Sequence, residues 1–157
     1  MAVKHLSGTH LARLCLLLVL LIPSTGTALA EETLVLVSSR SAPAFQLTRK
    51  EVRLLFMGLP VTKDSRSLQA LLNISDPLAY QVFLQKVIYM SAQNYEKRLL
   101  SKVFRLGGRR PPKFRDQKQL LRALTTRPDT VSFMWESRAR QHPQLRIVTP
   151  LWSGSIE

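Results

Sequence analysis

Few side chains in this sequence have the chemistry to act on another molecule or to hold one. Beyond residue 30 the chain has no cysteine and one histidine, His142, which stands beside Pro143 in a polar segment. A lone histidine in such a setting reads as solvated. The acidic residues are scattered, and no two have the spacing of a metal site or an acid/base pair. There is no phosphate-binding glycine loop and no dinucleotide fingerprint. The expectation is a non-enzymatic protein with no cofactor and no metal. The rival is a hydrolase using Ser75 or Ser132 with His142.

What the sequence does offer is anion chemistry. In "FRLGGRRPPKF", Phe104–Phe114, Gly107 and Gly108 can stop a helix and take unusual backbone angles. Arg109 and Arg110 could hold an anion through paired N–H donors. Pro111 and Pro112 stiffen the segment and remove two backbone donors. The competing reading is a rigid helix-to-helix connector with solvated charges. Ser75 is a second candidate. It stands at an expected helix start, where free N–H groups and a hydroxyl favour negative charge. Asp76 competes there, because its carboxylate can cap the same donors. Ser38, Ser39 and Arg40 complete the set, because they follow the first expected strand, where parallel sheets place ligands.

Charge points the same way. The 157 residues carry a net charge of +13. Lys4 and Arg13, the apolar run "LCLLLVLLI" and the "ALA" ending at Ala30 have the layout of a secretory signal peptide. Cleavage after Ala30 would leave residues 31–157 at +11, with the single cysteine, Cys15, removed. The expected location is periplasmic. Such an excess of cations suits a small anion, an acidic envelope protein or an anionic surface. Nucleic acid is not expected. The basic residues are spread over the chain, no reading motif is present, and export leads away from it.

The elements that must position these residues are an alternation of strands and helices. "TLVLV", Thr33–Val37, reads as a strand buried on both faces. Thr48 and Glu51 make a capping box for a helix that Gly58 and Pro60 end. Thr62 and its neighbours in "VTKDSRS" read as a polar turn, and Leu68–Ile74 as a second strand. Ser75 or Asp76 caps a helix with Ala79, Phe83, Val87 and Met90 on one side. Ser91 caps the next, with Tyr95, Leu99 and Val103 inward. Asp116 caps a fourth, and Thr130–Trp135 reads as a third strand. Leu145–Val148 reads as a short fourth strand, followed by a frayed "SGSIE". Strands separated by helices predict crossover connections and a mainly parallel sheet.

In this order the pieces resemble the phosphate ABC transporter substrate-binding protein family, most closely its small single-domain periplasmic members. The likeness spans about Thr33 to Trp135. "LVLVSS" with "LTRKEVRLLFMG" is similar to the family's first strand and its following helix. "LQALLNISDPLAYQVF" stands where the family has a strand, an anion-binding turn and a helix. "SKVFRLGGRRPPKF" is similar to the small members' glycine-rich, Pro-Pro-Lys segment. "RPDTVSFM" stands where the family has Pro-Gly-Ala-Ile-Gly-Tyr.

The resemblance implies an α/β fold, a single lobe of a type II periplasmic binding protein, with a mainly parallel sheet and flanking helices. It does not carry the phosphate site over intact. The family's turn bears Arg and Ser-Gly-Thr. Here it reads Asn73-Ile74-Ser75-Asp76-Pro77, and only Ser75 matches. A two-lobed receptor closes around its ligand, whereas 127 residues have room for one lobe, and dimerisation could restore a cleft. The expectation is therefore a binding-protein-like domain with weak or lost anion binding. The alternative is an envelope accessory protein that kept the fold and not the ligand site.

Overall fold

A computed structural model of the chain describes residues 31–107 and 109–156. The expected leader, residues 1–30, lies outside them. Strand β1 (Glu31–Ser39) is followed by helix α1 (Arg49–Phe56), β2 (Val61–Lys63), β3 (Arg66–Ala70) and β4 (Leu72–Asn73). Helix α2 (Pro77–Val82) runs into a π-helical turn (Phe83–Ile88), and α3 (Ala92–Leu106) follows. The chain continues through β5 (Lys113–Phe114), α4 (Gln117–Thr126), β6 (Thr130–Trp135), α5 (Glu136–Ala139) and β7 (Leu145–Ser155).

The main sheet has the order β2-β3-β6-β1-β7, and β4 and β5 form a small second sheet. Leu34–Val37 are all buried, as expected of a two-sided strand. Leu34 and Leu36 join the core under α1, α2 and α3. Val35 and Val37 join a second core with Leu120, Leu124 and Ala139 of α4 and α5. Helices therefore cover both faces. The larger core is pinned by Phe83 stacked on Phe133, ring centroids 3.9 Å apart, with Phe56 tilted against Phe83 at 4.7 Å.

The expected mainly parallel sheet is corrected by the pairing. β1 runs antiparallel to both neighbours, β6 and β7, and β2 runs antiparallel to β3. Only β3–β6 and β4–β5 are parallel among the described strands. Burial on both faces follows from helices covering both sides, and it does not fix strand direction. The final strand is also longer than expected. It runs through Trp152 and the "frayed" Ser153–Ser155, paired to Leu34 and back to Glu31. As an edge strand with a register shift next to Val35, it tolerates Pro150.

Two further expectations are redrawn. The polar turn after Pro60 is a β-hairpin, with Asp64 and Ser65 at positive φ between β2 and β3. The expected strand Leu68–Ile74 splits at Leu71. Its amide still donates to Val131 O, but Leu72 N–H turns to Pro112 O and Ile74 N–H to Phe114 O. The chain thus leaves β6 and pairs with the Pro-Pro-Lys-Phe segment.

The expected caps form. Thr48 and Glu51 make a reciprocal box. Asp76, not Ser75, caps α2, Ser91 caps α3, and Asp116 caps α4. Among the described residues no helix is long and apolar enough to cross a membrane.

Candidate functional site

The sequence candidates fall in three separate places. Ser38 pairs with Val131 at one end of β6, whereas Asn73 Nδ2 donates to Phe133 O at 3.0 Å, further along the same strand. Ser75 lies beyond that point. Ser38 and the Asn73 side chain that holds Ser75 therefore meet β6 at different points, Val131 and Phe133.

At the first place the hydroxyls face inward. Ser38 and Ser39 are 1% and 2% exposed. Ser39 Oγ lies 2.7 Å from Ser41 Oγ and accepts the Ser41 amide, closing a local turn. Arg40 is exposed, and its backbone is tied down. Its amide donates to Gln144 O, and its carbonyl accepts Arg146 Nη2 at 3.2 Å. Arg146 also donates to Ala42 O at 3.0 Å, so its guanidinium serves as a staple for this loop.

At the second place the turn satisfies itself. Asn73 Oδ1 accepts both the Ser75 amide, at 3.1 Å, and the Ser75 hydroxyl, at 2.7 Å. Asn73 is buried and anchored to β6, so the turn has a fixed floor. Asp76 Oδ1 accepts the Ala79 amide at 2.9 Å, and Pro77 has no amide to offer. An anion arriving here would have to displace a carboxylate from the helix start. It would also meet that carboxylate as a like charge.

The third place is a groove of about 500 Å³, lined in part by Gly58, Ser67, Gln69, Arg109 and Arg110. Arg109 N–H donates to Gly58 O at 3.0 Å, holding the connector against the end of α1. Arg110 Nη2 is 2.8 Å from Glu96 Oε2, and Lys113 Nζ is 2.7 Å from Glu96 Oε1. One carboxylate on α3 therefore receives both cations. The connector is a stiff β-paired edge whose charge is partly spent inside the molecule. Burial and the nearby Glu96 charge raise the Tyr80 phenol above its ordinary range.

Glu96 and Asn73 organise the second and third places, and neither stood out as a site residue in the sequence. The signals were there. Glu96 is the sole acid between Asp76 and Asp116, in a stretch crowded with Lys and Arg. Asn two residues before Ser75 is the pattern of a side chain that bonds its own backbone.

The serines proposed for a hydrolase are occupied elsewhere. Ser132 is fully buried and donates to Leu71 O at 2.8 Å, while His142 Nε2 lies 3.4 Å from Gln117 Nε2. Among the described residues no three His, Cys, Asp or Glu side chains gather as a metal site.

No protein-family model and no curated protein matches the sequence. Solved structures do match in fold. PstS from Borrelia burgdorferi superposes with a TM-score of 0.56 at 11% identity, over 76% of this chain and 47% of that one. An ABC-type phosphate transport receptor from Vibrio cholerae gives 0.53 at 10% identity, over 77% and 47%. A possible phosphate binding protein from Planctomyces limnophilus gives 0.53 at 14% identity, over 76% and 42%. At such identities the likeness is one of fold. The chain spans about half the length of these proteins, and what it shares with them is the fold of a single α/β lobe.

Proposed function

We propose that this chain is an exported, periplasmic, non-enzymatic binding-protein-like domain, cleaved after Ala30, in which small-anion binding at the inherited turn is weak or lost. The observation that carries this reading is the closed state of the turn. Asn73 takes the Ser75 hydroxyl and amide, and Asp76 takes the Ala79 amide. Two of the proteins of similar fold are described as a phosphate transport receptor and a possible phosphate binding protein, which makes phosphate the natural ligand to test. A single lobe also leaves a ligand partly in water, where each charged hydrogen bond is worth less. Replacing Asp76-Pro77 with Gly-Thr would free the helix start. A gain of phosphate affinity in that variant supports the reading, and an unchanged affinity contradicts it.

A second reading, an envelope interaction protein, is favoured by the end of α3. Phe104 is 84% exposed and Leu106 62% exposed, beside Arg105 and Arg109. Large exposed apolar side chains rimmed by cations are the surface an acidic partner would cover. Substituting Arg109 and Arg110 would then weaken capture of the partner and leave small-anion affinity unchanged.

A further inference from the structure

A second, smaller pocket lies on the α1 side of α3 and shares no residue with the Ser75 turn or the Arg109–Pro111 connector. It encloses about 250 Å³ and has an apolar lining of Leu54, Met57, Ile88 and Met90. Arg53, Arg98 and Lys102 complete it. Arg98 and Lys102 are one helical turn apart on α3 and so share a face. No carboxylate lines the pocket, and no ion pair among the described residues engages any of these cations.

The backbone around it is unusual on independent grounds. The chain passes the pocket through the π-helical turn Phe83–Ile88, a conformation that recurs at functional sites. It then holds Tyr89 at φ +61°, ψ +45°, a left-handed conformation that a bulky residue rarely adopts. Tyr89 is exposed, and the Arg53 guanidinium sits over its ring at 4.7 Å. Arg53 Nε donates to Val87 O at 3.0 Å, which fixes the guanidinium at the pocket edge. The carbonyls of the last turn of α1 would repel an anion, but Arg53 O accepts the Met57 amide, Leu54 O those of Met57 and Leu59, and Leu55 O that of Gly58.

We infer that this pocket binds an amphiphilic anion: a phosphate or carboxylate head on a short apolar stem. The cations match the head, and the half-buried Leu54 and Met90, which still present apolar surface over a floor of Met57 and Ile88, match the stem. A volume just below the usual range for drug-sized ligands suits a small molecule or one end of a lipid. The pocket shares no residue with the Ser75 turn, so the inference stands or falls separately from the function proposed above.

The test is titration of the purified protein with monomeric hexyl phosphate, with hexanol and inorganic phosphate as controls. The expected result is saturable binding of hexyl phosphate, at least about tenfold tighter than either control, because head and stem are both recognised. Arg98→Gln with Lys102→Gln, at exposed and half-buried helix positions, should weaken it by about tenfold or more. Met90→Glu, which adds a like charge from the pocket wall, should do the same without touching the cations. Phosphatidylcholine vesicles containing phosphatidic acid identify the source. Binding to them that the same variants weaken makes the ligand a lipid headgroup, and hexyl phosphate binding without it makes the ligand a free amphiphile. No saturation with either probe, equal binding of a control, or binding that neither variant weakens would overturn the inference.

Discussion

Gly58 and Arg109 are packed backbone to backbone: the Arg109 amide donates to Gly58 O at 3.0 Å, and a Cβ on Gly58 would lie 2.6 Å from Arg109 O. Gly58 also sits at φ +76°, where any other residue is strained. This contact locks the connector to the end of α1 and so fixes where Arg109 and Arg110 stand. Gly58→Ala should cost about 2 kcal/mol or more in urea unfolding, from left-handed strain plus displacement of the connector. Gly107 has a similar φ of +67° but open space around its Cβ position. Gly107→Ala should therefore cost only about 1 kcal/mol. Equal costs would show that the Gly58 contact does not matter.

Tyr95 ties α3 to α1 by donating its hydroxyl to Phe56 O at 2.5 Å, inside the main core. Burial, with smaller contributions from Tyr80 and Glu96, raises its pKa well above the ordinary tyrosine value of 10. A folded-state pKa that is raised means the unfolded chain releases this proton first. The contribution of this group to stability is then fully present below pH 10 and is lost as pH rises above it. Tyr95→Phe should cost about 1–2 kcal/mol at neutral pH, because Phe56 O loses its donor. The same variant should show a shallower alkaline loss than the parent, with Tyr80 supplying what remains. Denaturant melts between pH 8 and about 11 read both effects.

The start of α1 should supply part of the acid limb. Glu51 bonds Lys63 and both the amide and hydroxyl of Thr48, and these contacts lower its pKa to about 2. A depressed carboxylate adds stability above its ordinary pKa of 4.5, and that stability is lost as pH falls toward about 2. Thr48→Ala should cost about 1 kcal/mol at neutral pH. It should also flatten the loss between these two values, measured by urea midpoints across the range. An acid limb identical to the parent's would mean that Glu51 is held without the box.

Local signals in the sequence translated well into structure. Thr48, Asp76, Ser91 and Asp116 all cap helices, because a cap is decided by residues within one turn of it. The two-sided burial of Leu34–Val37 was equally legible. Strand direction was not, because β1 finds its partners more than ninety residues away, at Thr130–Trp135 and Leu145–Ser155. The site suffered the same limit. Ser39, Ser75 and Arg110 each looked suited to an anion alone, yet their fates are set by Ser41, Asn73 and Glu96. The bond that closes the Ser75 turn is local, but its anchor at Phe133 O is not. The pocket between α1 and α3 had no sequence signal at all. Its cations lie among many on a basic chain, and only the fold brings Arg53 to Arg98 and Lys102.

The most direct test of the central claim is calorimetric titration of the purified protein with inorganic phosphate at physiological salt, with sulfate as control. With Asp76 seated on the Ala79 amide and Asn73 on Ser75, no saturable binding in the micromolar range is expected for either ion. Micromolar phosphate binding with sulfate silent, abolished by Ser75→Ala, would show that the turn opens for its ligand and would contradict the account.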